Sequence, residues 1–561
     1  MKFSRSHLLI LALGFTTFCA SCNQEKTTAL PGHIPATQMD RFVQDSIADF
    51  LKRATQNKGF IHAGLSLRAP LLLQYYYDIY KFAPVWSSSK QWKPAKDSLM
   101  QYLRVCEQDG LFPQSYHLDT LQALTTKLGL DSNELQSPGT WAKADLLLTD
   151  ALVHMLEDLK HGRLHADSLS WKHDAGRHET FFRKYLDTIQ AGASISSVVQ
   201  MLQPGLMQYQ ELRKAVPSFL DSMNRKKYIY LVYPFKDSSA FYKKFMARLV
   251  EEGILEKFPA RYDSAAFKKM VSSYQAFRGL QVNGKLTAAL VQRLNDTDLE
   301  RFKRIAITLD RYKQLILPMP RNYIWVNLPS YYLQVREADS IAIESKVVIG
   351  KPNTPTPLIN SFISDLVIYP TWTVPNSIIV KEILPGLKRD PGYLARKGLS
   401  LFAYNGDYVD PFSVNWARYT KGIPYLVRQS SGDDNALGIM KFNFKNPFSV
   451  YLHDTNQRYL FKNKKRSLSH GCVRVQDWKK LAFYIVRNDS MLSKQPDSLK
   501  PTTDSISSWI ALKQKLVVGI GNRLPLYIGY YTCEPKNKKI MFYEDVYNKD
   551  KAAREKYTAF K

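Results

Sequence analysis

Near the C-terminal end of this 561-residue chain, His453 stands in the phrase YLHD, and Cys472 follows nineteen residues later, directly after Ser469-His470-Gly471. A thiol becomes a useful nucleophile when a neighbouring imidazole or dipole stabilises its thiolate. Gly471 lets the backbone turn tightly beside it, so that nearby amides can stabilise a tetrahedral oxyanion. Simpler roles exist for the same residues. A lone cysteine serves as a small buried hydrophobe, and His453, Asp454, His470 and Cys472 are zinc-ligand types. A structural zinc site, however, usually shows paired ligands at short spacing. A papain-like order is excluded, because that family carries its essential histidine after the cysteine and His470 is the last histidine of this chain.

The pattern of His453, fifteen intervening residues and then Ser-His-Gly-Cys resembles the active-site signature of the L,D-transpeptidases, cysteine enzymes that cross-link bacterial peptidoglycan. Many members place Asn two residues after the cysteine, where this chain has Arg474; the larger periplasmic branch also reads SHGCVRV. The resemblance implies Cys472 as nucleophile and His453 as base, oriented by the backbone carbonyl of Ser469. His470 would orient substrate or contribute charge. The amides of Gly471 and Cys472 would be oxyanion donors, with that of Tyr451 a further candidate. Arg474 either pairs with a stem carboxylate, since a guanidinium suits bidentate recognition, or braces the loop.

The implied substrate is a peptidoglycan tetrapeptide stem, cut before its terminal D-alanine and passed to the side-chain amine of a diaminopimelate. Water as acceptor would give a carboxypeptidase or hydrolase, and a protein lysine would give an anchored protein. A decayed catalytic domain would leave a peptidoglycan-binding lipoprotein. No metal or organic cofactor is implied, and stem peptides are the expected partner, with any further cell-wall synthesis partner left open.

The elements that must position these residues read as an α+β multidomain chain. Helical periodicity over 51–238, broken at Phe82-Ala-Pro-Val-Trp86 and Asp109-Gly-Leu-Phe-Pro113, resembles the scaffold domain of the larger transpeptidases. Within it, His161 and His165 lie four apart without the Glu that would make a metalloprotease helix. Residues 239–297, with SSYQAFRGLQVNGKLTAALVQRLN, resemble a small three-helix peptidoglycan-binding module, with Thr287 as the cap of its last helix and Gly284 in a turn. A linking helix follows over 298–318. From 319 to 561 alternating and apolar runs such as Tyr323–Val335, Ile341–Ile349, Ser449–His453 and Leu526–Tyr531 predict a mostly-β catalytic domain. An insertion at about 376–428 is expected to form a cap, which would exclude water.

Hydrophobic residues make up 45% of the chain, which fits a globular protein rather than a disordered one. Against 50 Asp and Glu stand 78 Lys and Arg, a formal net charge of +28, which commonly signals an anionic partner. No nucleic-acid motif is present, so an acidic envelope partner is expected. Lys2 and Arg5, the apolar run Leu8–Phe18 and the small residues before Cys22 read as a secretory leader over 1–22. Cys-Ala-Ser-Cys resembles a lipoprotein box, with Cys22 lipidated, residues 23–50 a polar tether, and a membrane-anchored periplasmic address. Cys106 and Cys533 are expected in cores; three spaced cysteines make no disulfide framework.

Overall fold

The computed structural model describes residues 33–62, 64–164, 179–256, 264–315, 317–492 and 501–557. The leader with Cys22, and His165, lie outside the described residues. Two compact units are formed: 1–94 with 120–149, and 95–119 with 150–561.

In the first unit, the tether expected to reach residue 50 is replaced from Ala36 by a helix, Ala36–Gln56. Its Met39, Val43, Ile47, Leu51 and Ala54 are buried, a three-and-four spacing that gives one apolar stripe to pack. The unit is pinned by Asp145. Its carboxylate accepts hydrogen bonds from the hydroxyl of Tyr77 (2.5 Å) and the amides of Val85 (3.1 Å) and Trp86 (2.9 Å), while the Trp86 indole donates to Thr149 (2.9 Å). Burial pushes the Asp145 carboxyl up to about 6 despite those donors. The turn foreseen at Phe82–Trp86 is thus held from below by one side chain.

In the second unit, the helix Asp298–Lys313 is more than a link. Phe302, Ile305, Ile307, Leu309 and Tyr312 are buried with Tyr209, Leu212 and Val216 of the helix Met207–Ser222, and with Trp325 and Tyr531 of the sheet domain. The three helices Ser238–Glu251, Ser264–Phe277 and Ala288–Asn295 enclose a separate small core around Phe245, Val271, Tyr274 and Leu290. Thr287 caps the last of them by accepting from the Leu290 amide at 3.2 Å, and Gly284 turns the chain at φ +65°.

The sheet closes on itself. In order, Met440–Phe444 pairs Leu452–His453, then Val473–Val475, Ser340–Gly350, Tyr332–Glu337, Asn322–Asn327, Pro525–Gly529 and Ile359–Ile368, which returns to pair Met440–Phe444. Most pairs are antiparallel, but Leu452–His453 runs parallel to Val473–Val475. Inside lie Val326, Leu333, Ile349, Phe442, Leu452 and Val473, covered by the helix Trp478–Leu492. The insertion has a core of its own, with Val374, Ile383, Leu387, Leu401, Trp416 and Val427 packed beside a three-stranded sheet of Trp372–Thr373, Ser400–Phe402 and Leu426–Gln429.

The strand expected over Ser449–His453 is shorter than its sequence suggests. The Asn446 side chain accepts from the amides of Phe448 (3.0 Å) and Val450 (3.1 Å), and Ser449 takes a left-handed φ of +55°. Asn favours such local turns over a ladder. Asp145→Ala is expected to remove about 3 kcal/mol from the first unit by stranding buried donors, measured as a lowered urea midpoint; an unchanged midpoint would show that the carboxylate is not its anchor.

Candidate active site

The pleat decides which residues meet. Along Met440–Phe444, the side chains of Met440, Phe442 and Phe444 are buried while Lys441 and Asn443 take the other face. Leu452 and Val473 are core neighbours in register, and His453 lies opposite both Arg474 and Lys441. Alternation of side chains therefore sets Lys441, Tyr451, His453, Cys472 and Arg474 on one face of the sheet, above the core. The Tyr451 and His453 rings meet edge to face at 5.6 Å, and the Lys441 ammonium lies 4.2 Å from the Tyr451 ring centroid.

Cys472 is partly buried and free. Burial pushes its thiol up, opposed by hydrogen bonds from the Tyr451 amide and hydroxyl and by the charges of Lys441 and Arg474. The thiol hydrogen lies toward the Ser449 carbonyl at 4.0 Å. Burial also raises the Tyr451 hydroxyl, and the neighbouring cysteine adds to it, so this group remains a donor. His453 is almost wholly buried. Its imidazole is pulled down to about 3, first by burial and then by the Arg474 charge. Burial lowers Arg474 and Lys441 as well, each being partly offset by Cys472.

The loop before the cysteine is held from below. Thr356 donates to the Gly471 carbonyl at 2.8 Å and accepts from the Gly350 amide at 2.9 Å. Ser469 Oγ donates to the Cys472 carbonyl at 2.6 Å and accepts from the Gly471 amide at 3.1 Å. Gly471 sits at φ +126°, a conformation open to glycine and strained for other residues.

Three expectations change. The Ser469 carbonyl is occupied by the Lys351 amide (2.9 Å) and Thr354 Oγ1 (3.3 Å), so it does not orient His453; the backbones of Leu437 and Asp454 face that imidazole instead, and among the described residues its buried Nδ1 has no partner within hydrogen-bond geometry. The Gly471 amide is spent on Ser469 Oγ, which leaves the Cys472 amide as the free donor of that pair. His470 turns from the thiol to Glu382 of the insertion, at 2.5 Å. Arg474 donates to Gln457 at 2.9 Å, which braces the following loop, while its buried Nε has no partner.

Asp454 accepts from the Ile439 amide (3.0 Å) and Arg458 (2.7 Å). Among the described residues no three His, Cys, Asp or Glu side chains are placed to hold an ion. Lys441 and Thr356 were not singled out by the sequence reading, although Asp434–Phe442 and Gly350–Pro357, the phrases that contain them, resemble the same family; the alternation in Met440-Lys-Phe-Asn-Phe444 was a second signal.

A cleft of about 380 Å³ opens beside the loop of Cys472, lined by Lys441, Asn443, Lys445, Asn446, Ser449 and Tyr451. A larger cavity of about 500 Å³ lies elsewhere, among Tyr230, Asn295, Glu300, Tyr543 and Arg554. It holds no nucleophile, and its Arg554 and Glu300 are already paired. The smaller cleft borders the candidate site through Lys441, Tyr451 and Ser449, whose carbonyl faces the Cys472 sulfur. Thr356→Val should cost about 1–2 kcal/mol and speed amide hydrogen exchange over 469–472, read by mass spectrometry. Exchange at the native rate would show that the loop stands without this hydroxyl.

Comparison with known proteins agrees with this geometry. Residues 321–492 match the family model described as the L,D-transpeptidase catalytic domain, and residues 71–216 match a scaffold domain. A Haemophilus influenzae protein that carries the provisional name L,D-transpeptidase is 34% identical over 249 residues, 44% of this chain and 48% of that protein, so the match spans about half of the relative. Two solved structures overlap more slightly. An avibactam carbamoyl enzyme has a TM-score of 0.17 at 14% identity over 38% of this chain and 49% of its own. A variant of the Enterococcus faecium L,D-transpeptidase has a TM-score of 0.18 at 13% identity over 38% and 50%. Sequence pattern, closed sheet and matched residues converge on one statement: behind a scaffold domain, this chain carries the catalytic domain of the L,D-transpeptidase family.

Proposed function

We propose that the protein cleaves the terminal D-alanine from a peptidoglycan tetrapeptide stem through Cys472 and passes the stem to an amine, cross-linking the wall. The observation that carries this reading is the partly buried, free Cys472 thiol on a loop held by Thr356 and Ser469, with His453 on the neighbouring strand and a cleft beside it. The sulfur attacks the carbonyl carbon of the L-centred third residue, and the carbonyl oxygen gains charge against the free Cys472 amide. The thiol proton passes by way of His453 to the departing D-alanine nitrogen as the C–N bond breaks, leaving a thioester. The acceptor amine then attacks, loses a proton to His453, and expels the sulfur. A neutral imidazole suits both transfers, since it can accept a proton at each stage.

Amine over water is favoured by the insertion, whose Glu382 grips His470 in the loop that carries the nucleophile. Water as acceptor would give a carboxypeptidase with the same residues. Arg474, which donates to Gln457, is the proposed guanidinium partner of a stem carboxylate. The leader and Cys22 support a periplasmic lipoprotein held on a membrane.

The purified protein and Cys472→Ala, each incubated with a tetrapeptide-stem muropeptide, are expected to differ by mass spectrometry. The native protein should yield a cross-linked dimer lacking one D-alanine, and the variant none. Tripeptide alone would reassign the protein as a carboxypeptidase, and unchanged substrate in both samples would contradict an enzymatic role on this stem.

A further inference from the structure

The two ends of one peptide unit do different work in the nucleophile loop. A trans peptide is planar, so its carbonyl oxygen and its amide hydrogen point in opposite directions. The Gly471–Cys472 bond is trans. Its carbonyl, that of Gly471, accepts from the hydroxyl of buried Thr356 at 2.8 Å. Its amide, that of Cys472, is therefore turned away from the packed side of the loop, as an oxyanion donor must be. Whatever fixes Thr356 also fixes the direction of that donor.

Thr356 ends a segment, 350–356, that cradles the nucleophile loop. The Lys351 amide and Thr354 Oγ1 reach the Ser469 carbonyl at 2.9 and 3.3 Å, and Thr356 reaches Gly471. The ends of the cradle are drawn together where the Gly350 amide donates to Thr356 Oγ1 at 2.9 Å. They pass so closely that a side chain on Gly350 would collide with the Thr354 carbonyl and the Thr356 amide. One side chain from the C-terminal segment joins them again. The Tyr547 hydroxyl donates to the Gly350 carbonyl at 2.7 Å and accepts from the Thr356 amide at 3.2 Å.

Tyr547 is itself fixed. Its amide donates to the Tyr530 hydroxyl at 2.8 Å, and the two rings stack with centroids 5.8 Å apart. Tyr530 in turn donates to Asp545 at 2.5 Å, and the same carboxylate accepts from the amides of Lys549 (2.9 Å) and Lys551 (3.0 Å). A continuous hydrogen-bonded path thus runs from Asp545 through Tyr530, Tyr547 and Thr356 to Gly471.

We infer that Tyr547 is a positioning residue for the oxyanion donor: by bridging Gly350 and Thr356 it holds the Gly471–Cys472 peptide in the orientation that acyl transfer uses. The inference rests on the reading of Cys472 as nucleophile and adds a residue outside the cysteine–histidine motif. The ring of Tyr547 packs against the sheet core, so the hydroxyl can be removed while the packing stays.

Two reagents separate the donor from the thiol. p-Nitrophenyl acetate transfers its acetyl group to the sulfur and releases p-nitrophenol, building negative charge on a carbonyl oxygen on the way. Iodoacetamide alkylates the same sulfur with no such charge. Both rates are followed at one pH, by mass mapping of Cys472, in the full-length native protein, Tyr547→Phe, Thr356→Val and the double variant. Outright loss of an oxyanion donor costs roughly 10²–10³ in rate, so its misalignment in Tyr547→Phe should slow acylation about tenfold and leave alkylation within about twofold. Because the effect passes through Thr356, the double variant should be slower than Thr356→Val by no more than about twofold. A thermal melt checks that each variant is folded. If Tyr547→Phe is not, Tyr530→Phe, which removes the hydroxyl that holds the Tyr547 amide, is measured in its place. Equal slowing of both reactions would reduce Tyr547 to a structural role and overturn the inference. Unchanged acylation, additive losses in the double variant, or a native protein that is alkylated but never acylated would overturn it as well. Neither reagent needs a stem peptide, so failure here is separable from failure of transpeptidation, which Cys472→Ala reports.

Discussion

The site depends on one register. Leu452–His453 lies parallel to Val473–Val475, with His453 opposite Arg474, and antiparallel to Met440–Phe444, with Lys441 opposite His453. Because side chains alternate strictly, a slip of one residue would exchange the core set Phe442, Leu452 and Val473 for the polar set. Burial of the apolar set therefore fixes the polar one. The core does not surround the active site; it aligns it.

That alignment creates an electrostatic problem as well as a geometric one. Cys472, His453, Lys441 and Arg474 are all at least partly removed from water, and burial works against the charged form of each. Only mutual support can keep charge there. The loop geometry contributes fixed dipoles at no cost in side-chain entropy. Gly471 turns through a conformation natural to glycine, Thr356 and Ser469 hold the turn, and the Tyr451 amide is aimed at the sulfur. The insertion, with a core of its own, touches this loop through Glu382 and His470.

Much of this was legible beforehand. Cys472 and His453 announced themselves by type and spacing, and the strands Asn322–Asn327, Ser340–Gly350 and Pro525–Gly529 by their β-branched, apolar runs. Thr287 and Gly284 were readable because capping and turn chemistry are local. What escaped was non-local. Lys441 lies on a strand whose partner is chosen by tertiary pairing, and Thr356 reaches Gly471 across 115 positions. The tether reading failed at Ala36 because polar composition masked a single apolar stripe. Ser469 lost its proposed carbonyl role because Lys351 and Thr354, invisible from the motif, already occupy it.

His453 is proposed to act as a neutral base and not as the imidazolium partner of a thiolate. NMR of its ring nitrogens across pH, in the native protein and in Cys472→Ala, reads this without turnover. Its folded value lies below the ordinary 6.5, so neutrality should persist as pH falls until about 3, alike in both proteins. Over that interval only the unfolded chain takes up the proton, and stability should decline with falling pH. An imidazolium near neutral pH that disappears when Cys472 is replaced would contradict the account.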